Sequence, residues 1–386
     1  MSLSSCLLLL VGCDAPAVDD ELTPSLPPET PTVPPSFETP TPSSGTPTLT
    51  PFPELPPDEA QVTLGRWLFY DLALSLNGDR ACGVCHEQKK GFTDGLVRTV
   101  GTTGQMHAYN TPALTNVYAR VLLGRANPAE QVLETQMLTP LFGTHPVEMG
   151  MAGQEEVILS HLRTEAVYQH YFPRAFPELA DPFQLDPMTE AIAAFERTLV
   201  SSNSGWDRYQ RGETDALSAQ AVWGAELFQS ERFGCARCHT GVDLNFPPGY
   251  DPKTGADDQL YVNIGLYNVD GTGSYPEGGQ GLYEFTLLAE DRGRFRIPVL
   301  RNLTVTKPYM HDGSVPDLSS VLSLYAAGGR ILYGGAYPGD GRESPLKDPR
   351  ISGFEATAEE LQAVVVFLES LTDDQFITDT RFKNPW

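Results

Sequence analysis

The sequence Cys82-Gly83-Val84-Cys85-His86 returns later in the chain as Cys235-Ala236-Arg237-Cys238-His239. Two thiols at this spacing, followed at once by a histidine, form the attachment signature of a c-type haem. The thiols bind the haem covalently, and the imidazole is placed to become the proximal ligand of the iron. Four of the six cysteines lie in the two motifs. The sequence therefore predicts two covalently bound haem c groups.

Other uses of paired cysteines fit this sequence less well. A cysteine pair at this spacing can be a redox dithiol, and two such pairs together can hold zinc. Neither chemistry needs a histidine directly after each pair. Zinc ribbons also bring their pairs much closer than the roughly 150 residues that separate these two. We therefore favour haem attachment over a dithiol or a zinc site.

The chain is strongly acidic. Its 386 residues carry a formal net charge of −24, and the sequence pI is about 4.6. This charge disfavours binding to nucleic acid or to anionic membrane surfaces, and it leaves room for a basic or neutral protein partner. The length is sufficient for two domains with cores of their own.

The start of the sequence indicates export. A short apolar run ends at Leu10-Val11-Gly12-Cys13, which is similar to a bacterial lipoprotein signal. We expect residues 1–12 to be removed and Cys13 to be lipidated, with a plain cleaved signal as the alternative. Residues 13–57 are rich in Pro, Thr, Ser and Glu and predict a disordered tether. The expected location is periplasmic, with a membrane contacted only through the lipid anchor.

Helical periodicity dominates the rest of the sequence. Helices are predicted from about Asp58 towards the first haem motif and over residues 187–200, 218–228, 318–326 and 358–371. Gly65-Arg66-Trp67-Leu68-Phe69 is echoed by Gly224-Ala225-Glu226-Leu227-Phe228 before the second motif, which indicates an internal repeat. We predict a mainly α fold of two cytochrome-c-like haem domains, residues 58–202 and 203–386, with long ordered loops over the cofactors.

Several further segments carry a resemblance to a known family. They are residues 64–71 (LGRWLFYD), 110–116 (NTPALTN), 146–150 (PVEMG), 294–302 (RFRIPVLRN) and 308–314 (PYMHDGS). Over roughly residues 60–375 the chain resembles the bacterial dihaem cytochrome c peroxidase superfamily, and more closely its MauG-like branch. Residues 141–145 (LFGTH) look like the methanobactin-associated subgroup, whose enzymes modify a tryptophan of a partner protein. The resemblance implies the dihaem peroxidase architecture, with a peroxidatic first domain and an electron-transfer second domain.

The resemblance also implies what stands on the distal side of each iron. Tyr325, fourteen residues after His311, falls where MauG-like enzymes have a tyrosine ligand and other peroxidases have methionine. A phenolate stabilises higher oxidation states than a thioether does. Met310 is the competing ligand, and a core tyrosine is the other interpretation of Tyr325. At the first haem, Thr102 stands where other peroxidases have a distal histidine, which implies a five-coordinate iron, and His107 is the alternative ligand nearby.

Peroxide cleavage needs a group that takes a proton from one oxygen and returns it to the other. The resemblance assigns this work to Glu148, with Gln136 and Pro140 in the same distal pocket. His145 lies in a segment two residues longer than the one in MauG, and there it would share the proton transfer. The alternative interpretation of His145 is a hydrogen-bonded loop histidine.

A calcium ion between the two haems is a further implication of the resemblance. Its ligands would be the side chain of Asn110 and the carbonyls of Thr306 and Pro308, which are the hard oxygen donors that calcium prefers. The family also places a tryptophan between the haems. The corresponding stretch here, residues 121–128, contains Arg125 and no tryptophan.

Together these expectations describe a periplasmic dihaem c oxidoreductase. It would use hydrogen peroxide at a five-coordinate haem to form high-valent iron and oxidise a residue of a partner protein, as MauG-like enzymes do. A dihaem cytochrome c peroxidase that takes electrons from a small cytochrome is one alternative. A non-enzymatic dihaem electron carrier is another.

Overall fold

Helices connected by long irregular segments form the fold. A computed structural model describes residues 57–386. The predicted leader, Cys13 and the tether up to residue 56 lie outside the described residues, and Pro57 opens the first helix. The helices of the described part are α1 Pro57–Phe69, α2 Cys82–Cys85, α3 Leu133–Gln136, α4 Leu138–Phe142, α5 Glu155–Thr164, α6 Ala166–Ala175, α7 Leu185–Arg197, α8 Gly205–Gln210, α9 Ala219–Gln229, α10 Tyr283–Thr286, α11 Leu318–Ala327, α12 Ala358–Glu369 and α13 Asp374–Thr378.

Strands are few and short in the described residues. β1 Tyr261–Val262 pairs antiparallel with β2 Phe295–Arg296, with Tyr261 opposite Arg296. β3 Ile331–Leu332 pairs antiparallel with β4 Gly339–Asp340, with Ile331 opposite Asp340. The mainly α class predicted from the sequence is confirmed. None of the described helices is long and apolar enough to cross a membrane.

The predicted internal repeat corresponds to two helix pairs packed in the same way. A Cβ atom on Gly65 of α1 would lie 1.8 Å from the carbonyl oxygen of Ala191 in α7. A Cβ atom on Gly224 of α9 would lie 1.9 Å from the carbonyl oxygen of Ala363 in α12. Any larger residue would force the helices apart, since real Cβ contacts are never this short. The two glycines are therefore required by close helix packing, once before each haem motif.

Two apolar clusters hold these helix pairs. The first gathers the buried faces of α1, α6 and α7, including Leu64 and Phe195. The second gathers α9, α11 and α12, including Phe228 and Phe367. Phe376 and Phe382, late in the chain, pack into the first cluster. The described residues all fall in one compact unit, and the proposed boundary at residues 202 and 203 stays a prediction.

Buried polar contacts connect residues on the two sides of that boundary. Arg301 is 3% exposed and makes ion pairs of 2.8 Å with Asp207 and 2.7 Å with Asp243. The side-chain amide of Asn116 donates to the same Asp243 carboxylate at 2.6 Å and to the carbonyl of Ser201 at 3.0 Å. Because a buried charge without its partner is strongly destabilising, this network fixes how the segments meet.

Candidate dihaem site

Both haem motifs present a histidine that is oriented for iron binding. The first motif forms the short helix α2, and the second forms a 3₁₀ turn, Cys235–Arg237. The Nδ1 atom of His86 donates to the carbonyl of Phe92 at 2.8 Å, and that of His239 donates to the carbonyl of Leu244 at 2.7 Å. A carbonyl oxygen can only accept, so each Nδ1 carries the proton and each Nε2 is free to bind a metal. Burial lowers the pKa of His239 to about 4, which keeps its ring neutral.

The cysteines of the motifs are available for thioether bonds. Cys82, Cys85, Cys235 and Cys238 are all unpaired. Among the described residues, no group of three or more His, Cys, Asp and Glu side chains forms a cluster that could hold a metal ion. The zinc alternative would need the two cysteine pairs to meet, and they do not.

A cavity of about 280 Å³ opens on the second motif. Cys235, Cys238 and His239 line one side of it, and Tyr325 of α11 lines the cavity with them. Tyr325 also packs in the small apolar cluster that contains Cys238. Burial, followed by the nearby cysteines, raises the pKa of Tyr325 above its usual value, so without a metal the phenol stays protonated. The competing ligand Met310 lines the cavity too and packs with the cluster around Tyr267 and Tyr275.

Three partly buried arginines in the wall of this cavity have no carboxylate partner. Arg120, Arg125 and Arg296 make no ion pair within the described part of the chain, and the Nε atoms of Arg120 and Arg125 have no hydrogen-bond acceptor. Burial, together with mutual repulsion, lowers the pKa of Arg120 to about 9 and that of Arg125 to about 10. Buried cations normally require paired anions. Haem propionates are such anions, so the cavity fits a haem in its charge as well as in its ligands.

The predicted calcium ligands lie in the wall of the same cavity. Asn110, Thr306 and Pro308 all line it. The Nη2 atom of Arg125 donates to the backbone carbonyl of Asn110 at 2.6 Å and approaches its Oδ1 atom at 3.3 Å. Arg125, found where the family has a tryptophan, is therefore a partly buried cation beside the predicted ligand set.

Glu148 is held beside the first haem motif by backbone contacts. The amide of Thr102 donates to the carbonyl of Glu148 at 2.7 Å, and the amide of Met149 donates to the carbonyl of Pro140 in α4 at 3.0 Å. The amide of Leu76, shortly before the motif, donates to the carbonyl of Met149 at 2.9 Å, which brings the Glu148 segment towards the motif. Burial, followed by the charges of Asp94 and Glu148, raises the pKa of Cys85 to about 12. Burial, reinforced by Glu130, raises the pKa of Glu148 itself to about 7.

His107 is the histidine that the structure brings to Glu148. Its Nε2 atom lies 3.7 Å from Oε1 of Glu148. The backbone amide of Tyr109 donates to its Nδ1 atom at 2.9 Å, so the proton of the neutral ring is on Nε2 and faces the carboxyl. Burial and the charge of Arg125 lower the pKa of His107 to about 4, so at neutral pH the pair is not an ion pair.

The other predicted distal residues are placed as follows. Gln136 ends α3, and Pro140 lies in α4, the helix that contacts the Glu148 segment. His145 is exposed, and its ring contacts the hydroxyl of Thr144 at 3.2 Å. The structure does not bring His145 to the Glu148 carboxyl, and its catalytic role stays a prediction. Thr102 is buried, and its hydroxyl donates to Asp79.

Sequence reasoning did not find the Glu148–His107 pair or the arginine cluster. The partners are far apart in sequence, and no spacing rule connects them. The available signal was the grouping of three arginines, Arg296 among them, within residues 294–301 of an otherwise acidic chain.

Two oriented histidines, four free cysteines and three cavity arginines without carboxylate partners are the features of a helical protein that carries two c-type haems. The model of the di-haem cytochrome c peroxidase family matches residues 59–215. The methylamine utilization protein MauG of Methylorubrum extorquens is 31% identical, over 81% of this chain and 78% of that protein. The cytochrome c551 peroxidase of Pseudomonas aeruginosa is 31% identical, over 70% of this chain and 72% of that protein.

A solved structure, that of a MauG-like protein associated with microbial copper homeostasis, is 38% identical with a TM-score of 0.81. It covers 89% of this chain and 99% of its own. The chain belongs to the dihaem cytochrome c peroxidase and MauG superfamily. It is accordingly a dihaem peroxidase-type oxidoreductase with two haem c groups.

Proposed function

We propose that the protein reacts with hydrogen peroxide at the His86 haem and uses the oxidising equivalents to oxidise a residue of a partner protein. The observation that carries this proposal is Glu148, a half-buried carboxyl beside the first motif whose pKa is raised to about 7. A proton-transfer group works best when its pKa lies near the working pH. An electron carrier has no use for such a group, which argues against the non-enzymatic alternative.

The chain's own residues would divide the work as follows. Haem iron supplies the redox chemistry of O–O bond cleavage when it is bound. Glu148 accepts a proton from the peroxide oxygen nearest the metal and returns it to the leaving oxygen. His107 presents its Nε2 proton towards Glu148 and helps to orient the carboxyl. Gln136 and Pro140 shape the distal pocket. His145 is a second proposed proton-transfer group.

At the second haem, we propose His239 as the proximal ligand and Tyr325 as the distal ligand. Both residues line one cavity, which supports this pairing. A hard oxygen ligand on the second iron stabilises its oxidised forms. Arg120, Arg125 and Arg296 would hold the propionates. On this proposal residues 58–202 form the peroxidatic domain and residues 203–386 the electron-transfer domain.

Two residues support the MauG-like role over peroxide removal. By the family resemblance, Thr102, which cannot bind iron as a histidine does, stands where peroxidases have the distal histidine, and Tyr325 stands where they have methionine. The similarity to a MauG-like protein associated with microbial copper homeostasis is in line with this role. We propose a periplasmic location with a lipid anchor at Cys13, and a small exported protein or cytochrome as the partner.

Offering the peroxide-treated protein a reduced small cytochrome as electron donor separates oxidation of a partner residue from peroxide removal. We expect the peroxide-treated protein to keep its altered absorption spectrum for minutes in the absence of a partner and to turn over poorly with reduced small cytochromes. A conventional peroxidase would consume a reduced cytochrome rapidly, with loss of the altered spectrum. Rapid turnover with several unrelated small cytochromes would therefore favour peroxide removal over the oxidation of a partner residue.

We also propose one calcium ion at Asn110, Thr306 and Pro308. Their shared position on the cavity wall supports this site, although a bound cation would have to share Asn110 Oδ1 with Arg125. Removal of calcium from the holoprotein by a chelator is expected to lower Tm, because a ligand that binds only the folded state stabilises it. Added calcium should restore Tm, and Asn110→Ala should abolish the response. Holoprotein purified without stoichiometric calcium and indifferent to the chelator would contradict the site.

A further inference from the structure

Three side-chain hydrogen bonds hold residues 382–386 against α1 and the residue that follows it. The Nε atom of Arg66 donates to the carbonyl of Lys383 at 2.6 Å, and the hydroxyl of Tyr70 donates to the carbonyl of Phe382 at 2.6 Å. The indole Nε1 of Trp386 donates to the carbonyl of Trp67 at 3.1 Å. This segment therefore holds Trp386 in a defined position on α1.

Trp386 lies at the surface and contacts a second indole beneath it. Its side chain is 53% exposed, and its ring meets that of Trp67 edge to face, with 4.8 Å between ring centroids. Trp67 packs against the first apolar cluster, the one that also contacts Tyr70 and Cys82. The two indoles therefore extend from the solvent-exposed surface to the apolar cluster that also contacts Cys82.

Tyr70 brings a second oxidisable ring from the Trp67 region to the first haem motif. Tyr70 follows Trp67 by three residues, directly after α1 ends, and both side chains pack against the first apolar cluster. The ring of Tyr70 lies against Gly83, between the two cysteines of the motif: a Cβ atom on Gly83 would lie 2.2 Å from Cδ1 of Tyr70. Tyr70, Trp67 and Trp386 therefore form a series of oxidisable rings from the haem attachment site to solvent.

A buried tyrosine with an acceptor for its proton stands beside this series. The ring of Tyr168 is 6.3 Å from that of Trp386, centroid to centroid. Its hydroxyl donates to Oδ2 of the buried Asp71 at 2.6 Å, and the same oxygen lies 2.7 Å from Nε2 of His161. Oxidation of a phenol is far easier when its proton can leave at the same time. The Asp71 carboxylate, hydrogen-bonded to His161, can accept the proton of Tyr168. Tyr168 therefore competes with water for an oxidised Trp386, and only the fraction of oxidised indole that water reaches first is modified.

We propose that Trp386 is an oxidation site of the protein itself, reached through Trp67 and Tyr70 when peroxide reacts at the His86 haem and no partner is bound. The inference rests on the proposed peroxide chemistry. The indole loses two electrons through the aromatic series, water adds to it, and two protons are released. Peroxide takes up two electrons and two protons and becomes two molecules of water. The net change is transfer of one oxygen atom from peroxide to Trp386 with formation of one water.

Peptide mass spectrometry of the peroxide-treated holoprotein tests this proposal. We expect the peptide that contains Trp386 to gain the mass of one oxygen atom. Trp223 of α9 is the internal control, since it is 39% exposed and lies outside the aromatic series. Free peroxide would attack both exposed indoles, whereas the aromatic series selects Trp386. Trp67→Phe should strongly reduce the modification, and Trp386→Phe should lengthen the lifetime of the peroxide-induced spectrum several-fold.

The possible failures can be told apart. If peroxide leaves the absorption spectrum of the holoprotein unchanged, the proposed peroxide chemistry is wrong. If the spectrum changes but Trp386 and Trp223 are modified equally, or neither is modified, the aromatic series does not carry electrons and this inference alone is overturned. A Trp67→Phe protein that oxidises Trp386 as readily as the unaltered protein would also overturn this inference and leave the proposed peroxide chemistry standing.

Discussion

Replacing Glu148 with Gln is expected to slow the reaction of the protein with hydrogen peroxide by about 10²- to 10⁴-fold, the range that positioned proton-transfer groups contribute. The amide keeps the shape of the side chain but cannot accept the peroxide proton. The unaltered protein should react faster as pH rises through about 7, because Glu148 must be deprotonated to act as the base. In the Glu148→Gln protein this pH dependence should disappear. Stopped-flow absorption measures both effects.

Glu130 offers a matched control for this experiment. It is the carboxylate whose charge reinforces the raised pKa of Glu148, and it accepts a hydrogen bond from Asn127 at 3.1 Å. Glu130→Gln removes that charge and should move the pH midpoint of the reaction downwards while the maximal rate is retained. Folding should survive in both variants, since neither carboxyl forms an ion pair with Lys or Arg in the described residues. A Glu148→Gln protein with the unaltered rate and pH profile would rule out Glu148 as the proton-transfer group.

The second large effect, on the absorption spectrum of the second haem, is expected from Tyr325→Phe. Tyr325 lines the cavity that contains Cys235, Cys238 and His239, and if it is the distal ligand as proposed, loss of its hydroxyl leaves the second iron without that ligand. The ferric spectrum of that haem should change from six-coordinate low-spin to high-spin. The lifetime of the peroxide-induced spectrum should fall by about tenfold, which corresponds to about 1.4 kcal/mol.

Two companion variants make the result specific to Tyr325. Tyr309→Phe removes a hydroxyl from the same cavity wall, but that hydroxyl already donates to the carbonyl of Leu303 at 2.6 Å. It should leave the spectrum of the second haem unchanged. Met310→Leu tests the competing ligand and should also have no spectral effect. If Met310→Leu changes the spectrum and Tyr325→Phe does not, the thioether is the ligand.

Local patterns predicted the haem motifs and the main helices because both depend on residues close together in sequence. The helix predicted at 318–326 is α11 Leu318–Ala327, and the one at 358–371 is α12 Ala358–Glu369. The repeated glycines at 65 and 224 were visible as a pattern. Their role in close helix packing needed the partner helices α7 and α12, which follow them by more than a hundred residues.

What the sequence could not predict depends on contacts between distant segments. The hydrogen bond from Tyr70 to Phe382 spans 312 residues, and no periodicity signals it. His107 reaches Glu148 because the loop after residue 101 packs its backbone against residues 147 and 148. From the sequence, His145 was a candidate helper of Glu148 or a loop histidine, with neither favoured, and the structure leaves its ring exposed.

We propose that the two haems are unequal and that only the one at His86 is open to peroxide. Electron paramagnetic resonance of the ferric holoprotein tests this most directly. We predict one high-spin and one low-spin signal in equal amounts, with peroxide removing the high-spin signal without prior reduction of the protein. Two low-spin signals, or a reaction with peroxide only after one haem has been reduced, would contradict the account.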